Sequence, residues 1–85
     1  MRYVLAVAEE QSFSKAAELL YITQPTLSQQ IKKLEENLGV RIFYRTTKNV
    51  SLTPFGVQFV EKASNIMKEY EELENWIGRV KAAEL

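Results

Sequence analysis

The sequence predicts a single, mainly α-helical domain with four helices and one small β-hairpin. Three observations support this prediction. Apolar residues recur every three or four positions over most of the chain, β-branched and aromatic residues cluster between residues 41 and 53, and only three Gly and two Pro occur in 85 residues. A chain of this length forms one domain with a small core, which is marginal for a monomer without a partner.

Composition argues against several classes of chemistry. The chain has no Cys, no His and no Asp, so all eleven acidic residues are Glu. Disulfides, thiolate nucleophiles, imidazole bases and Cys/His metal sites all need residues that are missing here. We therefore expect no enzymatic activity, no metal and no cofactor. No apolar run approaches the ~20 residues of a membrane span, and we expect a cytoplasmic protein without a membrane partner.

The first two predicted helices are short. Apolar residues predict a mostly buried helix from Arg2 to Glu10. Because a helix that starts so early has no cap of its own, we expect further residues upstream. The second helix lies within Ser12 to Leu20, where Ser12 or Ser14 can accept hydrogen bonds from the free N–H groups of the first turn.

The third predicted helix has clear ends. Thr23 is a suitable N-cap, Pro25 lies in the first turn, and Gly39 can end the helix after Leu38. One stripe of this helix is apolar and must face a core; it consists of Leu27, Ile31, Leu34 and Leu38.

The opposite face of the third helix is polar. At about 100° per residue, the positions opposite the apolar stripe are Pro25, Gln29, Lys32 and Glu36. Thr26 and Lys33 lie on one flank and Ser28 on the other. Amides, hydroxyls and Lys therefore occupy the N-terminal part of the exposed face, and Glu35 and Glu36 lie toward its far end.

Residues 41 to 53 favour strands and predict a small hairpin. Its arms are Arg41 to Arg45 and Val50 to Leu52, and Thr47-Lys48-Asn49 offers the turn. The tip has no acidic residue and carries Arg45, Thr46, Thr47 and Lys48.

A long helix follows, with Thr53 as N-cap and Pro54 in its first position, and runs to about Val80. At 1.5 Å per residue it is roughly 40 Å long, so most of it must pack outside its own domain. A heptad seam runs along it, and we expect the seam to form a homodimer. The alternative is that the helix folds back on its own domain. The seam consists of Phe59, Ala63, Ile66, Tyr70, Leu73, Ile77 and Val80, and Val60, Met67 and Trp76 widen the apolar surface beyond it.

Two short helices with a tight connection, followed by a hairpin, have the layout of a winged helix-turn-helix. The polar front of the third helix suits DNA, because Gln24, Thr26, Ser28 and Gln29 can bond base edges in the major groove. The N–H groups around Ser12 to Ser14 and Thr23 to Thr26 can meet phosphates, and Arg45 and Lys48 can reach phosphates or the minor groove.

Plainer interpretations remain for the same residues. The polar front could be an ordinary solvated helix face, and Lys32 and Lys33 could merely pair with the two Glu residues that follow. Arg45 and Lys48 could serve only to prevent edge pairing of the hairpin. The whole chain could also be a protein-interaction module in which the winged body is a scaffold and the long helix binds a partner.

Five motifs follow one another along the chain. They are Ser12-Phe13-Ser14-Lys15-Ala16-Ala17, Thr23-Gln24-Pro25-Thr26-Leu27-Ser28-Gln29-Gln30-Ile31, Leu34-Glu35-x-x-Leu38-Gly39, Phe43-x-Arg45 and Leu52-Thr53-x-x-Gly56. In this order they resemble the N-terminal domain of LysR-type transcriptional regulators of bacteria, and the similarity spans nearly the whole chain.

The resemblance implies a role for each segment. Residues 1–53 would be the winged helix-turn-helix and residues 54–85 a linker helix that pairs antiparallel with its mate, so that the homodimer reads two half-sites of double-stranded DNA. The recognition helix would place Gln24, Pro25, Thr26, Ser28 and Gln29 in the groove and Lys32 or Lys33 near the backbone, and Arg45, Thr46 and Lys48 would belong to the wing.

The resemblance also implies features beyond these residues. Family members usually carry a C-terminal domain that binds a small effector and form tetramers at full length; that domain is not among these 85 residues. The chain departs from the family at Gln29, where many members have Arg, so a neutral contact or base readout replaces a charged one.

Charge is unevenly distributed although the formal net charge is zero. Residues 23–53 hold five basic residues and two Glu, a balance of +3, whereas residues 61–85 hold four basic residues and six Glu, a balance of −2. We expect a mildly basic DNA-binding part and an acidic dimerisation helix. A small positive balance implies modest nonspecific affinity, so base contacts and dimerisation must contribute much of the binding.

Overall fold

The computed structural model describes residues 1–46 and 49–84. Its elements, in chain order, are α1 (Arg2–Glu10), α2 (Phe13–Leu20), α3 (Gln24–Leu38), β1 (Phe43–Arg45), β2 (Val50–Leu52) and α4 (Pro54–Glu84). Residues 2–67 pack into a body, and residues 68–84 of α4 extend from it as an arm. The predicted fold class, a winged helix-turn-helix with a long C-terminal helix, is confirmed.

Side-chain caps set the starts of α2, α3 and α4. The hydroxyl oxygens of Ser12, Thr23 and Thr53 accept from the backbone N–H three residues later, at O···N distances of 3.1, 3.3 and 2.9 Å. Between the two candidates at the start of α2, Ser12 is therefore the cap. Gly39 ends α3 with φ +73°, a backbone conformation that costs Gly little.

The core lies where α1, α2 and α3 meet the hairpin. Its largest fully buried side chains are Phe43, Leu27, Ile31, Ile42, Val4 and Val7. The predicted apolar stripe of α3 is only partly buried. Leu27 and Ile31 are enclosed, whereas Leu38 is 42% exposed because the last turn of α3 extends past the core.

The hairpin is shorter than predicted. Its antiparallel register pairs Phe43 with Leu52 and Arg45 with Val50, so Arg41 and Ile42 lie outside the first strand. Its loop is closed between Thr46 and Asn49 by an N–H···O bond of 2.9 Å. The predicted turn residues Thr47 and Lys48 lie outside the described residues.

Contacts made by Glu35 explain why the first strand is short. The prediction that Glu35 lies on an exposed helix face was wrong. Glu35 is only 7% exposed. Its Oε2 accepts from the backbone N–H groups of Ile42 and Phe43 at 2.7 and 3.1 Å, so these groups bond to α3 instead of to a strand. Four residues after Ile31, Glu35 lies only about 40° from the apolar stripe, on the flank that the hairpin covers.

The two halves of α4 have different surroundings. Phe59 and Val60 pack against the core and Ala63 is buried, whereas every residue from Lys68 to Glu84 is exposed. The helix runs beyond the predicted end near Val80, because the final residues favour helix and Gly78 alone does not stop it. No helix in the described part of the chain is both long and apolar enough to cross a membrane.

Gly56 allows the first turn of α4 to lie directly on the backbone that leads into β1. A Cβ atom at this position would lie 2.1 Å from the carbonyl oxygen of Ile42 and 3.2 Å from a methyl group of Leu52. The first contact is with backbone, which cannot rotate away as a side chain can. Any larger residue would therefore push α4 away from the hairpin.

We expect Gly56→Ala to lower the free energy of unfolding by about 3 kcal/mol, because the added methyl group forces backbone apart. Gly78→Ala is the matched control. A Cβ there meets nothing within 4 Å, so the variant should gain about 0.5–1 kcal/mol from helix propensity. Urea unfolding at one protein concentration measures both changes. A loss at Gly78 equal to that at Gly56 would contradict the role given to the close contact.

We expect Glu35→Gln to cost about 3 kcal/mol of unfolding free energy, because it leaves the Arg45 charge partly buried without its partner and weakens the acceptor for two backbone N–H groups. Glu36→Gln, at the exposed neighbouring position, should change stability by less than about 0.5 kcal/mol. The same urea titration tests this pair. Equal effects at both positions would show that the burial of Glu35 contributes nothing.

Candidate nucleic-acid interface

The front of α3 is open to solvent. Gln24, Pro25, Thr26 and Gln29 are exposed, and Ser28 is half-buried on the flank that faces the hairpin. Thr23 starts this surface, because its hydroxyl accepts from the Thr26 N–H and donates to the Thr26 Oγ1 at 2.7 Å. The predicted base-reading residues thus lie together on one helix whose opposite side is fixed in the core.

The start of α2 lies beside the start of α3. The Ser14 hydroxyl donates to Gln24 Oε1 at 3.0 Å, which joins the two helix N-termini. Together with the hairpin they enclose an open groove of about 360 Å³, here called the reading groove. Its lining includes six of the predicted DNA-binding residues, namely Ser12, Ser14, Gln24, Ser28, Arg45 and Thr46.

The reading groove has no carboxylate among the side chains that line it. The larger open hollow of about 580 Å³, beside the C-terminal end of α3, differs in this respect because Glu35 and Glu36 line it together with Lys32 and Arg41. The reading groove is therefore the better match for a polyanion, although it is the smaller of the two.

Arg45 is the last residue of the first strand, as predicted, but its side chain points to α3 rather than to the hairpin tip. Its Nη1 donates to Ser28 Oγ at 2.9 Å, its Nη2 donates to Glu35 Oε1 at 3.3 Å, and its Cζ lies 4.5 Å from the centre of the Phe13 ring. Only 24% of the side chain is exposed.

These contacts make Arg45 first of all a connection between the wing and α3. A partly buried guanidinium with a carboxylate partner and an aromatic face is held more firmly than a surface ion pair. Glu35 was missed as a partner because its contacts lie seven to ten residues away. The sequence does hold one signal for Glu35 as a partner. Ser28 and Glu35 are seven residues apart, so both lie on the same flank of α3.

The remaining basic residues of this region are on the surface. Lys32, Lys33 and Arg41 are exposed, whereas Lys48, also predicted to contact DNA, lies outside the described residues. Thr46 is exposed at the described edge of the wing. Within residues 1–46 and 49–84, no group of three or more carboxylate side chains is placed to hold a metal ion.

The residues predicted to form the dimer fall into two groups. Phe59 and Met67 are half-buried and Ala63 is buried within the chain's own body. The others lie on the exposed surface of α4, and the most exposed of them is Trp76 at 56%. This second group consists of Ile66, Tyr70, Leu73, Trp76, Ile77 and Val80.

Comparison with known sequences identifies a family. The profile of the family described as bacterial regulatory helix-turn-helix protein, lysR family, matches residues 1–57. The chain is 52% identical over 73 residues to the uncharacterized HTH-type transcriptional regulator YcgK of Bacillus subtilis, which is 86% of this chain and 22% of YcgK. It is 40% identical over 84 residues to the HTH-type transcriptional regulator BenM of Acinetobacter baylyi, which is 99% of this chain and 28% of BenM.

Solved structures agree with the sequence comparison. The BenM DBD in complex with catB site 1 DNA superposes with a TM-score of 0.89 at 42% identity, covering 93% of this chain and 89% of that one. The CbnR DBD in its DNA complex gives a TM-score of 0.84 at 32% identity, covering 99% and 93%. The chain thus spans about a quarter of the curated relatives and nearly the whole of these two solved chains.

The relatives compared are named as transcriptional regulators, not as enzymes. The family profile covers residues 1–57, and the fold is the winged helix-turn-helix. This chain therefore belongs to the LysR family of bacterial regulatory helix-turn-helix proteins.

Proposed function

We propose that this chain binds double-stranded DNA sequence-specifically, as a homodimer that reads two half-sites in the bacterial cytoplasm. Residues 1–53 carry the DNA contacts and residues 54–85 the dimer contacts. The observation that carries the proposal is the reading groove, where hydroxyls, amides and a guanidinium converge without a carboxylate among the described residues that line it. The similarity to two DNA-binding domains in complex with DNA supports it.

The recognition helix fits the major groove by shape and by chemistry. α3 has 15 residues and is about 22 Å long, and its exposed front carries the side chains of Gln24, Thr26 and Gln29. The major groove is about 12 Å wide and admits one helix with its side chains on the base edges. Leu27 and Ile31 fix the opposite side of α3, so the front keeps its orientation on DNA.

Phosphate contacts come from the surroundings of α3. The Ser12 hydroxyl accepts from the Lys15 N–H and keeps its own proton for a phosphate oxygen. The free N–H groups and dipole at the start of α2 favour an anion at the same place. Exposed Lys32 and Lys33 supply positive charge farther along the recognition helix.

The arm is the proposed dimer surface. Every described residue of α4 from Lys68 onward is exposed, yet this segment carries a row of large apolar side chains that includes Tyr70, Leu73 and Ile77. Exposure of such a row to water costs about 25 cal/mol of free energy per Å² of apolar surface. Antiparallel pairing with a second copy, as the family resemblance implies, covers it and places two recognition helices on one DNA. Tetramers and effector binding are proposed only for the longer protein.

Sequence-specific binding is tested with duplexes selected from a random pool. The best duplex should bind at least about 10³-fold more tightly than a scrambled one at physiological salt. Lys33→Ala should weaken binding to both duplexes by a similar factor. It should also reduce the slope of log K against log salt by about 1 per protomer. Lys81→Ala, on the arm, should leave the slope unchanged. If the pool yields no preferred sequence, the proposed function is wrong.

The dimer is tested by placing charge on the seam. Leu73→Glu should convert the protein to monomers in sedimentation velocity, because each arm would bring a carboxylate into an apolar contact. Asn75→Glu adds the same charge away from the seam and should leave the dimer intact. A Leu73→Glu protein that remains dimeric contradicts the assignment of the seam. A wild-type chain that is monomeric at every concentration would favour a module whose arm binds a different protein.

A further inference from the structure

Three polar side chains at the front of α3 each accept a hydrogen bond from within the protein. Gln24 Oε1 accepts from the Ser14 hydroxyl at 3.0 Å, and Ser28 Oγ accepts from Arg45 Nη1 at 2.9 Å. Thr26 Oγ1 accepts from the Thr23 hydroxyl at 2.7 Å. Three neighbouring polar groups therefore engage their oxygens within the protein.

These contacts favour donation to a ligand. The bond from Ser14 holds the Gln24 oxygen toward α2 and takes one of its two lone pairs, so Gln24 presents chiefly the two N–H bonds of its amide nitrogen. Ser28 and Thr26 keep their hydroxyl protons for an outside acceptor. The bond from Arg45 is charge-assisted and partly buried, and it polarises the Ser28 hydroxyl into a stronger donor.

Gln29 differs from Gln24 although both are glutamines on the same helix. Gln29 is exposed, and within the described residues its side chain makes no hydrogen bond that would occupy its oxygen or its nitrogen. A free amide can make both bonds of the bidentate pair with adenine, in which its oxygen accepts from N6 and its nitrogen donates to N7. At Gln24 the bond from Ser14 takes one of the two lone pairs of Oε1 and holds that oxygen toward α2, which disfavours the first of these bonds.

We infer that Ser14 is a positioning residue that makes Gln24 a reader of acceptor edges, namely guanine O6 and N7 or thymine O4, while adenine readout is left to Gln29. The inference rests on the proposed function, since it concerns the same face of α3. Gln24 and Gln29 are the same residue type, and the inference assigns them to different bases because their contacts within the protein differ. Cytosine is disfavoured opposite Gln24, because its major-groove edge offers the N4 donor.

Ser14→Ala tests the inference. Removal of the hydroxyl frees the Gln24 amide to turn and so favours the bidentate pair, and the affinity for adenine relative to guanine or thymine at the base read by Gln24 should rise about fivefold or more. Gln24→Ala identifies that base, because the preference there is lost. Binding-site selection on each variant gives the preference at every position of the half-site.

Two further variants separate positioning from stability. Ser14→Thr keeps a hydroxyl and should restore the wild-type preference. Ser12→Ala removes the neighbouring cap and should weaken binding to all sequences by a similar factor without changing the preferred base. Thermal unfolding of all variants shows that each is folded at the temperature of the selection.

The outcomes are distinct. If Gln24→Ala alters one position and Ser14→Ala leaves that position unchanged, the inference is overturned and sequence-specific DNA binding stands. If Gln24→Ala alters no position, Gln24 reads no base and the inference is again overturned. If the wild-type protein selects no sequence at all, the proposed function itself has failed.

Discussion

The carboxylate of Glu35 is the interaction on which the rest of this structure depends. It binds two backbone N–H groups that lead into the wing and the guanidinium of Arg45 from the same strand. Arg45 in turn contacts Ser28 and the face of Phe13, so one buried acid connects α3, the hairpin and α2. Burying a lone carboxylate would cost several kcal/mol, and the three hydrogen bonds offset that cost only in this arrangement. A single buried carboxylate thus joins α3 to the hairpin.

Sequence patterns predicted the parts of the fold whose causes are local. Ser12, Thr23 and Thr53 each cap a helix through the N–H three residues later, and such a contact is visible in the spacing alone. The roles of Glu35 and Arg45 were not predicted, because their partners lie 7 to 17 residues away and the pattern of α3 does not show which flank the hairpin covers. The exposed end of the stripe at Leu38 has the same cause, since periodicity does not show where the core stops.

The structure explains why the surface near α3 carries little positive charge. Arg45 and Glu35 neutralise each other inside the body, which leaves only a few exposed cations near the recognition helix, among them Lys32 and Lys33. A weak positive field gives little affinity for DNA in general. Discrimination then falls to hydrogen bonds at the front of α3, where Ser14 and Arg45 already donate to the oxygens of Gln24 and Ser28. Internal contacts and external specificity are in this way parts of one network.

The contact at Gly56 also has a geometric consequence. It holds the first turn of α4 against the backbone at Ile42 and so fixes the direction in which the helix leaves the body. A helix of 31 residues is about 46 Å long, and a 5° change at its base moves the far end by about 4 Å. That displacement exceeds the 3.4 Å rise between stacked base pairs. In the proposed dimer, Gly56 would therefore help to set the number of base pairs that separates the two half-sites.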